Sequence, residues 1–135
     1  MAKYAAVDHK ITINGTDFST MLQSVELSTE ADVLETTAFG STWRTRIAGL
    51  KTGSITLNFF QDFGAGAVDA TLQPLMGSEA TVVIKPTSGT TSATNPAYTA
   101  IALVSQYSPF TSQVGDIATL SVSWQTTGTV SRATA

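Results

Sequence analysis

Between Thr119 and Gln125 every second side chain is apolar: Leu120, Val122 and Trp124 alternate with Thr119, Ser121, Ser123 and Gln125. A period of two marks a strand that buries one face; on a helix the same residues would scatter around the axis. Ser54–Phe63 obeys the same rule, with Ile55, Leu57 and Phe59 alternating with Thr56, Asn58 and Phe60. The outward positions carry hydroxyls and amides where an exposed helix would carry Lys, Glu and Arg. Composition extends this to the whole chain. Charged residues are 13% against 42% apolar, and Thr and Ser together exceed a quarter of the sequence. A charge share about half that of an ordinary soluble domain suits a surface that neighbours cover, because covering it strands few ions. It points towards self-assembly, with an ordinary small soluble β domain as the alternative.

Several classes are excluded at this level. A length of 135 residues suits one domain with a sizeable core. Net charge of −3 with high apolar content argues against disorder. Seven Lys and Arg against ten Asp and Glu leave no basic footprint for nucleic acid. No apolar run approaches the ~20 residues of a membrane-spanning helix, and Met1–Lys10 lacks an apolar secretion segment. Cys is absent, which removes disulfides, thiolate zinc sites and cysteine nucleophiles.

Along the chain, Ile11 and Ile13 lead into Asn14-Gly15, a tight hairpin with a short return at Thr16–Phe18. Val25 and Leu27 mark a second strand, and Val33–Ala38 a further one. Ala38–Gly53 has three glycines and no clean period, which predicts a long mobile loop with extended flanks. Val68, Leu72, Leu75 and Met76 form the one helical stripe, limited by Pro74 and ended by Gly77. Ala80–Lys85 is a β-branched strand, Thr87–Pro96 a polar surface loop, Tyr98–Tyr107 and Ile117–Thr127 a final strand pair, and Gly128–Ala135 a polar tail. The expected architecture is mainly β: an antiparallel sandwich or barrel of about seven strands with one flanking α-helix.

Catalytic constellations are missing. The single histidine, His9, lies in the N-terminal segment, where a solvated side chain is the simplest role, and no Gly-x-Ser-x-Gly elbow occurs. Glu26, Glu30, Asp32 and Glu35 form the densest acidic stretch, without the spacing of a calcium loop. Gly64-Ala65-Gly66 touches the dinucleotide fingerprint but has Asp69 where the third Gly or Ala belongs. Trp43, beside Arg44 and Arg46, is either a stacking platform for sugar or single-stranded nucleic acid or an anchor in an interface or the core. No enzyme activity and no cofactor are expected.

The runs Leu34–Gly40 and Trp43–Lys51, then Gln61-Asp62-Phe63, Val68–Leu72, Ser105–Phe110 and Leu120–Trp124, resemble the major tail (tail tube) proteins of long, non-contractile-tailed bacteriophages over residues 5–130. The resemblance implies a single tail-tube domain over 1–135 that closes into hexameric rings, which stack into a hollow tube for DNA ejection. It implies an inter-ring role for the 38–53 loop through Phe39, Trp43, Arg44, Arg46 and Ile47, and a flanking helix carrying Val68, Leu72, Leu75 and Met76. An acidic lumen would let DNA pass without specific binding; Glu26, Glu30 and Asp116 are the candidates. Implied partners are further copies of the chain and the tape measure, tail terminator and distal tail proteins, with no membrane. The place of action is the virion tail, after synthesis in the host bacterial cytoplasm. Two alternatives stay open: a carbohydrate-binding β-sandwich with Trp43 and Tyr98 as its platform, and a tube protein of a contractile-tail or type VI-like machine.

Overall fold

The computed structural model describes residues 3–135, so the first two positions of the Met1–Lys10 segment lie outside the described residues. Two antiparallel sheets face each other. The first has the strand order β2-β1-β5-β6-β8, from β1 (Lys10–Ile13), β2 (Thr16–Asp17), β5 (Glu79–Lys85), β6 (Ala97–Leu103) and β8 (Ser131–Ala133). The second has the order β3-β4-β7, from β3 (Leu22–Glu35), β4 (Arg46–Phe60) and β7 (Thr119–Gln125). The fold is a mainly antiparallel β-sandwich with one short helix, α1 (Val68–Leu72).

The hairpin at Asn14-Gly15 forms as its chemistry demands, with both residues at positive φ (50° and 84°). Asn14 also locks onto β5: its N–H donates to the Thr81 carbonyl, and its side-chain oxygen accepts from the Thr81 N–H, both at 2.8 Å. The inward residues of the two alternating strands, Ile55, Leu57, Phe59, Leu120, Val122 and Trp124, are all buried. They meet Ile11, Ile13, Val82, Ala100 and Ala102 of the other sheet in one core. Each large side chain buried this way contributes about 1.5–3 kcal/mol. Trp124 also donates its indole N–H to the Gln106 carbonyl at 3.0 Å, so its one polar atom is satisfied.

Four expectations need correction. Tyr98–Tyr107 and Ile117–Thr127 meet at one isolated bridge, Ala102↔Thr126, and do not form a ladder: β6 lies between β5 and β8, while β7 pairs with β4 in the opposite sheet. Alternation identifies a buried face and says nothing of the partner, and the connection between them crosses from one sheet to the other. The tail is not merely polar loop, since β8 pairs with β6 at Ala97, Tyr98 and Thr99 and adds an eighth strand. Met76 does not belong to the helix. Pro74 turns the chain into a 3-10 segment at Gln73–Leu75, which leaves Val68 and Leu72 buried, Leu75 half-buried and Met76 exposed before Gly77 at φ 84°. The fourth correction, at Ala38–Gly53, concerns the functional surface.

Candidate functional site

The sequence places a loop at Ala38–Gly53, but β4 begins at Arg46, and the ladder with β3 runs unbroken in kind to Glu35↔Arg46. Val33–Glu35 is likewise not a separate strand but the end of β3. The two strands outrun the sandwich. Beyond Thr29 on β3 and before Gly53 on β4 the side chains are exposed on both faces, apart from a half-buried Gly49. The result is a two-stranded arm. A register shift between Ala31 and Val33 bends it, and Gly49 sits at this bulge because a Cβ there would come within 3.1 Å of the Asp32 Cβ and 3.3 Å of the Leu34 side chain.

The tip is built from local hydrogen bonds. Thr36 N–H donates to the Thr45 carbonyl at 2.8 Å, and the two hydroxyls meet at 2.8 Å. Arg44 donates to Glu35 at 3.0 Å, so its partner lies within the arm. Gly40, at φ 89°, completes a turn closed from Ser41 N–H to the Ala38 carbonyl. This turn holds Phe39 and Trp43 in solvent at 108% and 84% exposure. Val33, Leu34, Ile47 and Leu50 are exposed along the shaft. Of the residues expected to carry an interface, Phe39, Trp43 and Arg44 therefore sit at the tip, and Arg46 and Ile47 open the second strand of the arm. The chain exposes 8662 Å², whereas a compact monomer of its mass exposes about 6,700 Å². The excess of roughly 1,900 Å² is the size of a standard protein interface.

The outer face of the β3-β4-β7 sheet is the second surface. Val25 and Leu27 turn inward, so Ser24, Glu26, Ser28 and Glu30 point out, opposite Asn58, Thr56, Ser54 and Thr52 of β4. Ser121, Ser123 and Gln125 continue the face on β7. Hydroxyls and amides link across it, with Asn58 donating to Ser24 at 2.5 Å and Thr56 to Ser123 at 3.4 Å. Glu26 and Glu30 are its charges. Asp116 does not join them: it lies in the loop before β7, beyond the end of the sheet.

That loop belongs to a third surface, at the end of β4 opposite the arm. Gln61 N–H donates to the Ala118 carbonyl at 2.9 Å, and the Gln61 side chain donates to the Pro109 carbonyl at 2.8 Å and to the Tyr107 hydroxyl at 3.3 Å. Tyr107 donates in turn to Asp69 at 2.6 Å, tying the start of α1 to the crossing segment. Burial, and then the bond to Asp69, push the Tyr107 hydroxyl up to about 12. Phe63 and Phe110 stack here at 5.5 Å between ring centroids and 27° between planes, yet remain 54% and 79% exposed. Val114 and Ile117 of the same loop are also exposed. Nothing periodic marks these residues in the sequence, because they lie in loops.

The catalytic and sugar-binding alternatives gain little from the geometry. His9 is half-buried, with its Nε2 3.1 Å from the Tyr4 hydroxyl, and among the described residues neither a Ser nor a carboxylate side chain hydrogen-bonds to it. Gly64–Gly66 leads into a five-residue helix between antiparallel sheets, which is not a dinucleotide fold. Tyr98 lines a groove with Leu27, Lys51, Ile84 and Val130. Trp43 stands roughly 20 Å further out along the arm, so the two do not form one platform. Among the described residues there is no cluster of three metal-ligating side chains, and no helix is long and apolar enough to cross a membrane.

No protein-family model and no curated protein matches the chain. Among solved structures, a chain from the virion of a native gene transfer agent (GTA) particle is similar in fold, with a TM-score of 0.73 over 97% of this chain and 99% of that one. Sequence identity is 15%, so the likeness is one of fold.

Proposed function

We propose that the chain is a structural protein of a phage or phage-like virion, and that its copies stack as rings into a tail tube through which DNA leaves the particle. One observation carries this: an arm of the sandwich that is exposed on both faces and bears Phe39, Trp43, Ile47 and Leu50. A two-stranded hairpin without a covering layer is marginal in water, so an arm of this length is built to be covered. The fold shared with a gene transfer agent virion chain supports the virion setting. The hydroxyl-rich outer sheet face, with Glu26 and Glu30 and no cation opposite them, supports a lumen that repels phosphate. Hexameric closure, the inter-ring role of the arm, and contact with tape measure, terminator and distal tail proteins belong to the same proposal.

Negative-stain imaging of the purified protein at high concentration tests it. Rings or hollow filaments are expected. A compact monomer at every concentration, with no filaments after nucleation by tail-initiator components, would sink it.

A further inference from the structure

The sandwich has a mouth where the arm begins. There the two sheets part, and a groove of about 660 Å³ opens between Leu27, Ile84, Tyr98 and Val130, with Thr29, Lys51 and Thr129 at its edge. Leu27, Ile84 and Val130 pack against the core yet remain half-buried, so the floor is apolar. The ladder between β6 and β8 sets Arg132 directly opposite Tyr98, and hence on the same face. Lys51 and Arg132 therefore flank the groove, and neither has a carboxylate within ion-pair distance among the described residues. The carboxylates of the arm lie elsewhere. Glu30 faces the outer side of the sheet with Ser28 and Thr52, alternation puts Asp32 on that side too, and Glu35 is held by Arg44 at the tip.

A groove of this size, apolar on its floor and cationic at its rim, fits an apolar knob that carries a carboxylate. The chain has such a knob at the far end of the same body, roughly 30 Å from Lys51 along β4. The 113–116 turn closes with Asp116 N–H donating to the Gln113 carbonyl at 3.2 Å and Gly115 at φ 89°, and it holds Val114 wholly in solvent. Asp116 is the only charged residue in 104–118, and Ile117 beside it is exposed. The other exposed apolar turns and loops lack this combination. Val7 lies between Lys3 and Lys10, the turn at Phe39 has Arg44 and Arg46 close by, Phe63 and Phe110 are stacked on each other, and Met76 has no carboxylate nearer in sequence than Glu79 on β5. We infer that the 113–117 turn of one copy inserts into the mouth of the next, with Val114 on the apolar floor and Asp116 between Lys51 and Arg132. Knob and mouth are different surfaces at opposite ends of the sandwich, so the contact repeats head to tail and gives the assembly a direction along β4. This rests on the self-assembly proposed above and adds a contact of the sandwich body to that of the arm.

The chain has no cysteine, so introduced ones report the contact without background. Val114→Cys with Thr129→Cys changes two exposed side chains outside the core. After assembly and mild oxidation, this variant should give a ladder of covalent multimers on a non-reducing gel. Val114→Cys with Ser123→Cys, on the outer sheet face, should give none. Charge is tested separately by sedimentation, with unchanged circular dichroism as the check on folding. Asp116→Lys should raise the concentration needed for polymer about tenfold or more, and adding Lys51→Glu and Arg132→Glu to it should recover most of that loss. Polymer without the 114–129 ladder, an equal ladder from the Ser123 control, Asp116→Lys polymer at the wild-type concentration, or no recovery on charge reversal would each overturn the inference, while wild-type tubes leave the tube proposal standing. Wild-type protein that never polymerises would overturn both.

Discussion

Cutting the arm off separates its role from that of the sandwich. Ala31 and Lys51 are directly opposed in the ladder, so deleting Asp32–Leu50 and joining them through Asn-Gly places a two-residue turn across an existing pair. No core side chain lies in the deleted stretch. The salt bridge it removes joins two half-exposed or more exposed side chains, at 73% and 50%, and such a pair is worth little. Replacing the long connection by a short one lowers the closure cost by about 2 kcal/mol. The arm's own pairing, near break-even for a hairpin, offsets only part of that in the full chain. Net stability should therefore change by no more than ~2 kcal/mol in either direction, with the melting temperature held within about 8 °C. Thermal melts followed by circular dichroism read the first effect, and sedimentation velocity reads the second, a loss of all polymer. A melting temperature lower by much more than this would mean that the arm belongs to the folding core. Normal polymer from the shortened chain would refute the arm as connector.

Three further outcomes follow from local geometry. Asn95 is 7% exposed; its side chain accepts from Thr87 N–H at 3.0 Å and donates to the Gly89 and Thr90 carbonyls at 3.1 Å, so Asn95→Ala should cost about 1–3 kcal/mol, read by denaturant melts, and loosen the 87–96 loop to proteolysis. Gly53→Ala should cost about 1–3 kcal/mol by the same assay, since a Cβ would meet the Thr126 hydroxyl at 2.9 Å and the Ser28 carbonyl at 3.4 Å; Gly49→Ala, on the arm, should affect polymer more than stability. Tyr107 keeps its proton to about 12 when folded, above its unfolded value near 10, so its stabilisation is present below pH 10 and is lost as pH rises from there to 12. Tyr107→Phe should flatten that part of the alkaline stability curve, and an unchanged slope would assign it to other groups.

The legible parts of the sequence were those where the chain's own core imposes a pattern. Ile55-Leu57-Phe59 and Leu120-Val122-Trp124 alternate because one face of each strand meets the opposite sheet, and every one of those six side chains is buried. The helix was legible as a short, Pro-limited stripe, with Val68 and Leu72 inside, although Met76 followed the same spacing by coincidence and lies outside. Pairing was not legible. β6 and β7 look like neighbours in sequence, and only the course of the connection, held by Tyr107 to Asp69 and by Trp124 to Gln106, separates them into two sheets. The 87–96 loop carries no periodic signal because its order comes from scattered polar contacts: the buried Asn95 amide, the Ser92↔Asn95 bridge, and the bonds of Ser88 to Asp8 and of Lys85 to the Gly89 carbonyl.

The arm failed to show as a strand for a reason that bears on its function. β4 is one continuous strand, yet its side chains are buried alternately from Gly53 to Phe59 and exposed from Arg46 to Thr52, with Gly49 the half-buried exception. The backbone pairing is the same in both halves; what changes is whether a second layer lies on the strand. Alternation records that layer, since selection for apolar residues acts on the face that is covered. Where the sandwich stops, the period stops, and Ile47 and Leu50 remain as apolar residues out of phase, with Trp43 and Phe39 beyond them at the turn. A strand with a hydrogen-bonded partner, large apolar side chains and no period of two is therefore one that no second layer of its own sandwich covers. The same stretch that reads as an irregular loop in the sequence is, on this physical ground, the segment that the proposed assembly would have to cover.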